Sequence, residues 1–151
     1  RMTSTYKSIG VLAIAHRARI VCGQAVRLSG LSPLSTAQPT HTGMDKTLRY
    51  RIDIVDEIEP ADWERHPDPL FYVTARYRRA IERMVVSAPE QYLWMHRYWK
   101  SRPRWEREGT PFPARIADKL RTLPWMTEAE LARIIERSRR DTADWAAGRR
   151  P

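Results

Sequence analysis

Ile9, Leu12, Ala13 and His16 recur at helical spacing between Thr5 and His16, which predicts a short helix. The run from Ile20 to Val26 is β-branched, too short for a helix and flanked by charge, so a mostly buried strand follows. Leu28 to Thr47 is rich in Gly, Ser, Thr and Pro and has no period, the pattern of a long functional or disordered loop, with disorder the expectation. Leu48, Tyr50, Ile52 and Ile54 then alternate with Arg49, Arg51, Asp53 and Val55. That period of two predicts a half-exposed strand near a sheet edge, ending near Glu59 and Pro60.

The rest of the pattern is helical. Asp68 followed by Pro69 is an N-cap with proline at the first helical position, and Leu70, Val73, Tyr77, Ala80, Ile81 and Met84 mark one face. Ser87-x-x-Glu90 fits a capping box with Pro89 just inside, predicting a helix from Pro89 to Lys100. Pro111 to Leu123 and Thr127 to Ala147 give two further amphipathic segments, the second opened by the capping box Thr127-x-x-Glu130. Two strands are too few for an independent sheet, so the missing strands are expected upstream or on another chain.

A chain of 151 residues has room for one core, here read as residues 1–107 with a helical tail over 108–151. Hydrophobic residues make up 42% and charged residues 30%, which excludes the composition of a disordered chain. Lys and Arg number 27 against 18 acidic residues, a net charge of +9 that favours an anionic partner: nucleic acid, anionic lipid or an acidic protein. One cysteine, Cys22, excludes an intrachain disulfide, and no metal-type Cys/His spacing surrounds it. The longest apolar window is broken by His16, Arg17 and Arg19, so no segment has the length to span a bilayer. Arg1 precedes Met2 without a leader pattern, which reads as the back portion of a longer protein.

The chemically richest segment is Pro89-Glu90-Gln91-Tyr92-Leu93-Trp94-Met95-His96-Arg97-Tyr98-Trp99-Lys100. Its aromatics occupy several helical faces, and they read either as core or as part of a site. The segment resembles the closing signature of the bacterial lipid A biosynthesis (lauroyl/myristoyl) acyltransferases, within the lysophospholipid acyltransferase superfamily. Glu90, Trp94, His96, Arg97, Trp99 and Lys100 match that signature with Pro89, Gln91, Tyr92 and Leu93, while Tyr98 replaces the more usual Arg. Thr74, Tyr77, Ala80, Ile81 and Glu82 resemble the helix before it, and Lys7 to Gly10 and Ala18 to Arg27 resemble a helix and buried strand downstream of the active-site centre. The resemblance covers roughly residues 3–107; the tail from Gly109 has no counterpart.

The resemblance implies the C-terminal part of an α/β acyltransferase domain, with about two of its strands in this chain. It implies transfer of a fatty acyl chain from acyl carrier protein to a hydroxyl of a glycolipid acceptor such as a lipid A precursor. The place would be the cytoplasmic face of the inner membrane, with peripheral contact here, an anchor expected upstream, and no cofactor, metal or nucleic acid. Such chemistry needs a base and an orienting carboxylate, which the superfamily supplies as His-x4-Asp. That spacing is absent here: five residues after His16, His41, His66 and His96 stand Val21, Lys46, Phe71 and Ser101. His41-x3-Asp45 is a near miss in a loop and reads as coincidence, so the chain alone is expected to be inactive.

Cys22 lies in an apolar strand and reads as inert core. Arg27 stands at that strand's carboxyl end, where open α/β sheets gather ligands, and reads either as a substrate-binding residue or as an ordinary surface charge. Two rival readings stay open. Arg97, Lys100, Arg102, Arg104 and Arg107 interleaved with Trp99 and Trp105 fit a small basic nucleic-acid-binding protein. The chain also fits a noncatalytic interaction module.

Overall fold

The computed structural model describes residues 7–28, 49–92 and 101–149. Helix α1 (Ser8–His16) leads into strand β1 (Ile20–Arg27), which pairs antiparallel with β2 (Tyr50–Ile58). Short α2 (Pro60–Glu64) and long α3 (Pro69–Ser87) follow, then a 3₁₀ turn at Pro89–Gln91. Helices α4 (Arg104–Glu108), α5 (Ala114–Arg121) and α6 (Glu128–Ala146) complete the described chain. The expected long loop and the His41/Asp45 pair fall outside the described residues.

The β1–β2 register carries a bulge: Cys22 faces Asp56 and Gly23 faces Ile54, leaving Val55 as the extra residue. A one-residue slip exchanges the faces of a strand. Before it, Tyr50, Ile52 and Ile54 point outward; after it, Asp56 and Ile58 turn inward, and Ile58 is fully buried. Trp63 of α2, Tyr72, Val73, Tyr77 and Ala80 of α3, Leu120 of α5, Leu123 of the α5–α6 connection and Leu131 of α6 complete the core.

The helix starts follow their caps. The Asp68 carboxylate accepts from the Phe71 N–H at 3.0 Å, and Thr127 and Glu130 close a reciprocal capping box at α6. The second capping box belongs to α2, between Glu59 and Asp62.

Two expectations are corrected. Strand β1 is not mostly buried: Cys22 is, but Val21 is 52% exposed, because among the described residues the main cover of the sheet is α3, which packs on one face. No α-helix starts at Pro89. Helix α3 runs through Ser87, whose hydroxyl donates to the Met84 carbonyl instead of capping a new helix. Ala88, disfavoured from helical conformation by the following proline, breaks the chain at φ −147°, and Tyr92 is extended.

Candidate active-site face at the end of strand β1

The Leu28 N–H donates to the Arg49 carbonyl, so by alternation the Arg27 N–H and C=O point away from β2, toward the free edge of β1. Gln91 takes both: its Oε1 accepts from the Arg27 N–H at 2.8 Å and its Nε2 donates to the Arg27 carbonyl at 3.2 Å. One side-chain amide thus does what a neighbouring strand residue would do. The Gln24 amide donates to Ser87 Oγ at 2.6 Å from the inward face of β1, so the carboxyl end of α3 is fastened twice to this strand.

Two features singled out far apart in sequence, Arg27 and the Pro89-Glu90-Gln91 turn, therefore meet in space. Both the Arg27 residue and Glu90 are exposed. Trp94, His96, Arg97, Trp99 and Lys100 lie outside the described residues. On the same sheet, Arg51 grips Asp53 with two hydrogen bonds of 2.7 and 3.0 Å, which, with Gln24, hold the Asp53 carboxyl below its ordinary range.

Two candidate proton-transfer groups, His66 and Cys22, are engaged elsewhere or held inactive. Nδ1 of His66 lies 3.1 Å from the Asp68 N–H and 3.0 Å from the Asp68 carbonyl, and Nε2 lies 3.1 Å from the Thr122 carbonyl. Both nitrogens are spent on joining the entry of α3 to the end of α5. Burial, reinforced by the charge of Asp56, pushes the Cys22 thiol up, so it stays protonated and a poor nucleophile. Among the described residues no histidine is hydrogen-bonded to a carboxylate, and no cluster of His, Cys, Asp and Glu is placed to hold a metal ion.

Periodicity gave no sign of two ion networks. Arg76 of α3 donates to both Asp56 oxygens at 3.0 Å, to Asp62 at 2.8 Å, to the Tyr72 hydroxyl and to the Glu57 carbonyl. Arg102, grouped by sequence with a surface basic run, is instead buried: one guanidinium nitrogen bridges Glu106 and Asp141, the latter at 2.6 Å. Ser138 donates to Glu106 at 2.5 Å and accepts from the Trp105 indole at 3.1 Å, so Trp105 is also a packing residue. The run that supported a nucleic-acid surface loses both of these members. Exposed Arg104 is paired with Glu108.

Among the described residues these features are those of a partial α/β domain: a two-stranded antiparallel sheet covered on one face, with the outer edge of β1 touched by a Pro-Glu-Gln turn. A stretch of 54 residues is 39% identical to the lipid A biosynthesis palmitoleoyltransferase of Escherichia coli (strain K12) and to the lipid A biosynthesis acyltransferase of Shigella flexneri. It covers 36% of this chain and 16% of each relative, so the matched part is a small share of those proteins. No protein-family model and no solved structure matches the chain.

Proposed function

We propose that the chain is the carboxyl-terminal part of an acyltransferase domain that moves a fatty acyl chain from acyl carrier protein to a hydroxyl of a lipid A-like glycolipid. The stretch of 39% identity to two lipid A acyltransferases carries this reading. The fold agrees with it, since a two-stranded ribbon with one bare face is the expected shape of a piece of a larger sheet.

In this reaction the glycolipid hydroxyl attacks the thioester carbonyl. An ester C–O bond forms, the C–S bond breaks, and a base carries the hydroxyl proton to the departing thiolate. The base and its orienting carboxylate come from residues outside those described here. The described residues supply the platform: Gln91 and Gln24 fix the carboxyl end of β1, and the Arg27 side chain stands there to receive an anionic group of the substrate. The reading gives the described residues a peripheral membrane contact; none of their helices is long and apolar enough to cross a bilayer.

The test is acyl transfer from a radiolabelled acyl carrier protein thioester to a lipid A precursor, using the complete product of the reading frame that encodes these residues. We expect transfer, and we expect Arg27→Ala to lower turnover at every ionic strength, since a positioned contact is screened less than a distant charge. The 151 residues alone are expected to give no turnover. A complete product without transfer would overturn the reading.

A further inference from the structure

On the side of α3 away from the sheet lies an open groove of about 560 Å³, walled by α3 on one side and by α5, α6 and their connection on the other. That volume falls in the range of small-molecule sites. Its walls are apolar and mostly aromatic or flexible: Phe71, Leu123, Trp125, Met126 and Ile134. Its rim is charged, with four cations, Lys7, Arg78, Arg79 and Arg133, against two carboxylates, Glu82 and Glu130.

Of the two carboxylates, Glu82 keeps an acidic group on the α3 rim. Glu130 is committed to the start of α6, where it closes the capping box with Thr127. Lys7, Arg79 and Arg133 form no ion pair among the described residues; the Arg79 guanidinium lies 5.4 Å from the centre of the Trp125 ring. The groove therefore has an apolar floor and a rim on which Lys7, Arg79 and Arg133 are not ion-paired among the described residues. A ligand that satisfies both carries an anionic head on an apolar body.

We propose that this groove binds a single-chain amphiphile with an anionic head, the chain lying along Phe71, Trp125 and Ile134 and the head between Arg79 and Arg133. Half of its wall is the tail after Gly109, which takes no part in the resemblance to acyltransferases. The site goes beyond the acyl-transfer reading and stands without it, since binding needs no acyl donor, acceptor or turnover. Membrane lipids and soluble amphiphiles share this chemistry, and the groove reads the head and the chain, not the source.

Isothermal titration of the 151-residue chain with dodecyl phosphate below its micelle threshold tests this. The expected result is saturable one-to-one binding with a change in tryptophan fluorescence that Trp125→Phe removes. Arg79→Gln with Arg133→Gln should weaken binding roughly tenfold. Both arginines are exposed, so the doubly substituted chain should keep its thermal midpoint, which checks that it folds. Inorganic phosphate binding as tightly as dodecyl phosphate would overturn the proposal in favour of a bare anion site. Dodecyl maltoside binding as tightly would overturn the role of the cations. No saturable binding, or binding unchanged by the double substitution, would overturn the site itself. Dodecyl phosphate presented in neutral phosphatidylcholine vesicles distinguishes the sources: capture of the vesicles supports recognition at a membrane surface, and binding of the free amphiphile alone supports a soluble ligand.

Discussion

At the scale of single residues, the side chain that matters most to the tail is Arg102. Its side chain is almost sealed from water, 2% exposed, with the guanidinium between Glu106, one turn along, and Asp141 on α6. A buried ion pair adds modest net stability, but removing one partner strands the other charge in a medium that solvates it poorly. Arg102→Met should therefore cost about 3–5 kcal/mol. Urea unfolding checks the figure. Converting the carboxylates as well, with Glu106→Gln and Asp141→Asn, should recover part of the loss, most of it through Glu106 because Asp141 keeps Arg137 at 3.4 Å, whereas a cost due to lost packing alone would not be recovered. Sequence gave no access to this arrangement, because an arginine in a run of arginines looks like surface, and its partner Asp141 is 39 positions away.

At the scale of elements, Arg76 is the fastener, joining α3 to β2 through Asp56 and to α2 through Asp62. Its hydrogen bonds hold the Asp56 carboxyl below the ordinary carboxylate range, against the opposing effect of partial burial. A carboxylate depressed in the folded state contributes stability that is fully present above its unfolded value, near 4, and fades as pH falls through the lower folded value. We expect the thermal midpoint to decline as pH drops below about 4, and Arg76→Met to flatten that decline while costing about 2–3 kcal/mol at neutral pH. Thermal scans of both proteins across pH 2 to 7 would show it; a parallel decline in the variant would count against the fastener.

The elements themselves were well marked in sequence where the signal was local. The cap at Asp68, the box at Thr127 and Glu130, and the alternation through Ile52 and Ile54 each predicted an element within a few residues of where it stands. What escaped was too short or too distant. Helix α2 spans five residues, below any periodicity, and the bulge at Val55 depends on which residue of β1 lies opposite. The Ser87-x-x-Glu90 pattern misled because the same serine fits the last turn of one helix and the cap of the next. Of the candidate site, Arg27 and the Pro89-Glu90-Gln91 turn were each legible, but their meeting across 64 positions was not.

At the scale of the whole molecule, the bare face of the sheet governs behaviour. Tyr50, Ile52 and Ile54 of β2 and Val21 of β1 are each more than half exposed, and Ile9, Val11 and Leu12 of α1 are exposed to a similar degree. Large exposed apolar areas drive association. The isolated chain should therefore self-associate as its concentration rises, and Ile52→Lys with Ile54→Lys should shift it toward monomer in light scattering while leaving its helical signal intact. Unchanged mass would mean that this face is inert. The free edge of β1 invites company differently, and there Gln91 acts as an end stop. With Arg27 already engaged, an arriving strand has only Ile20 to Ala25 to align with, about 20 Å of edge. One glutamine thereby sets both the length and the starting point of whatever strand is added there, and a strand that ran further would first have to evict it.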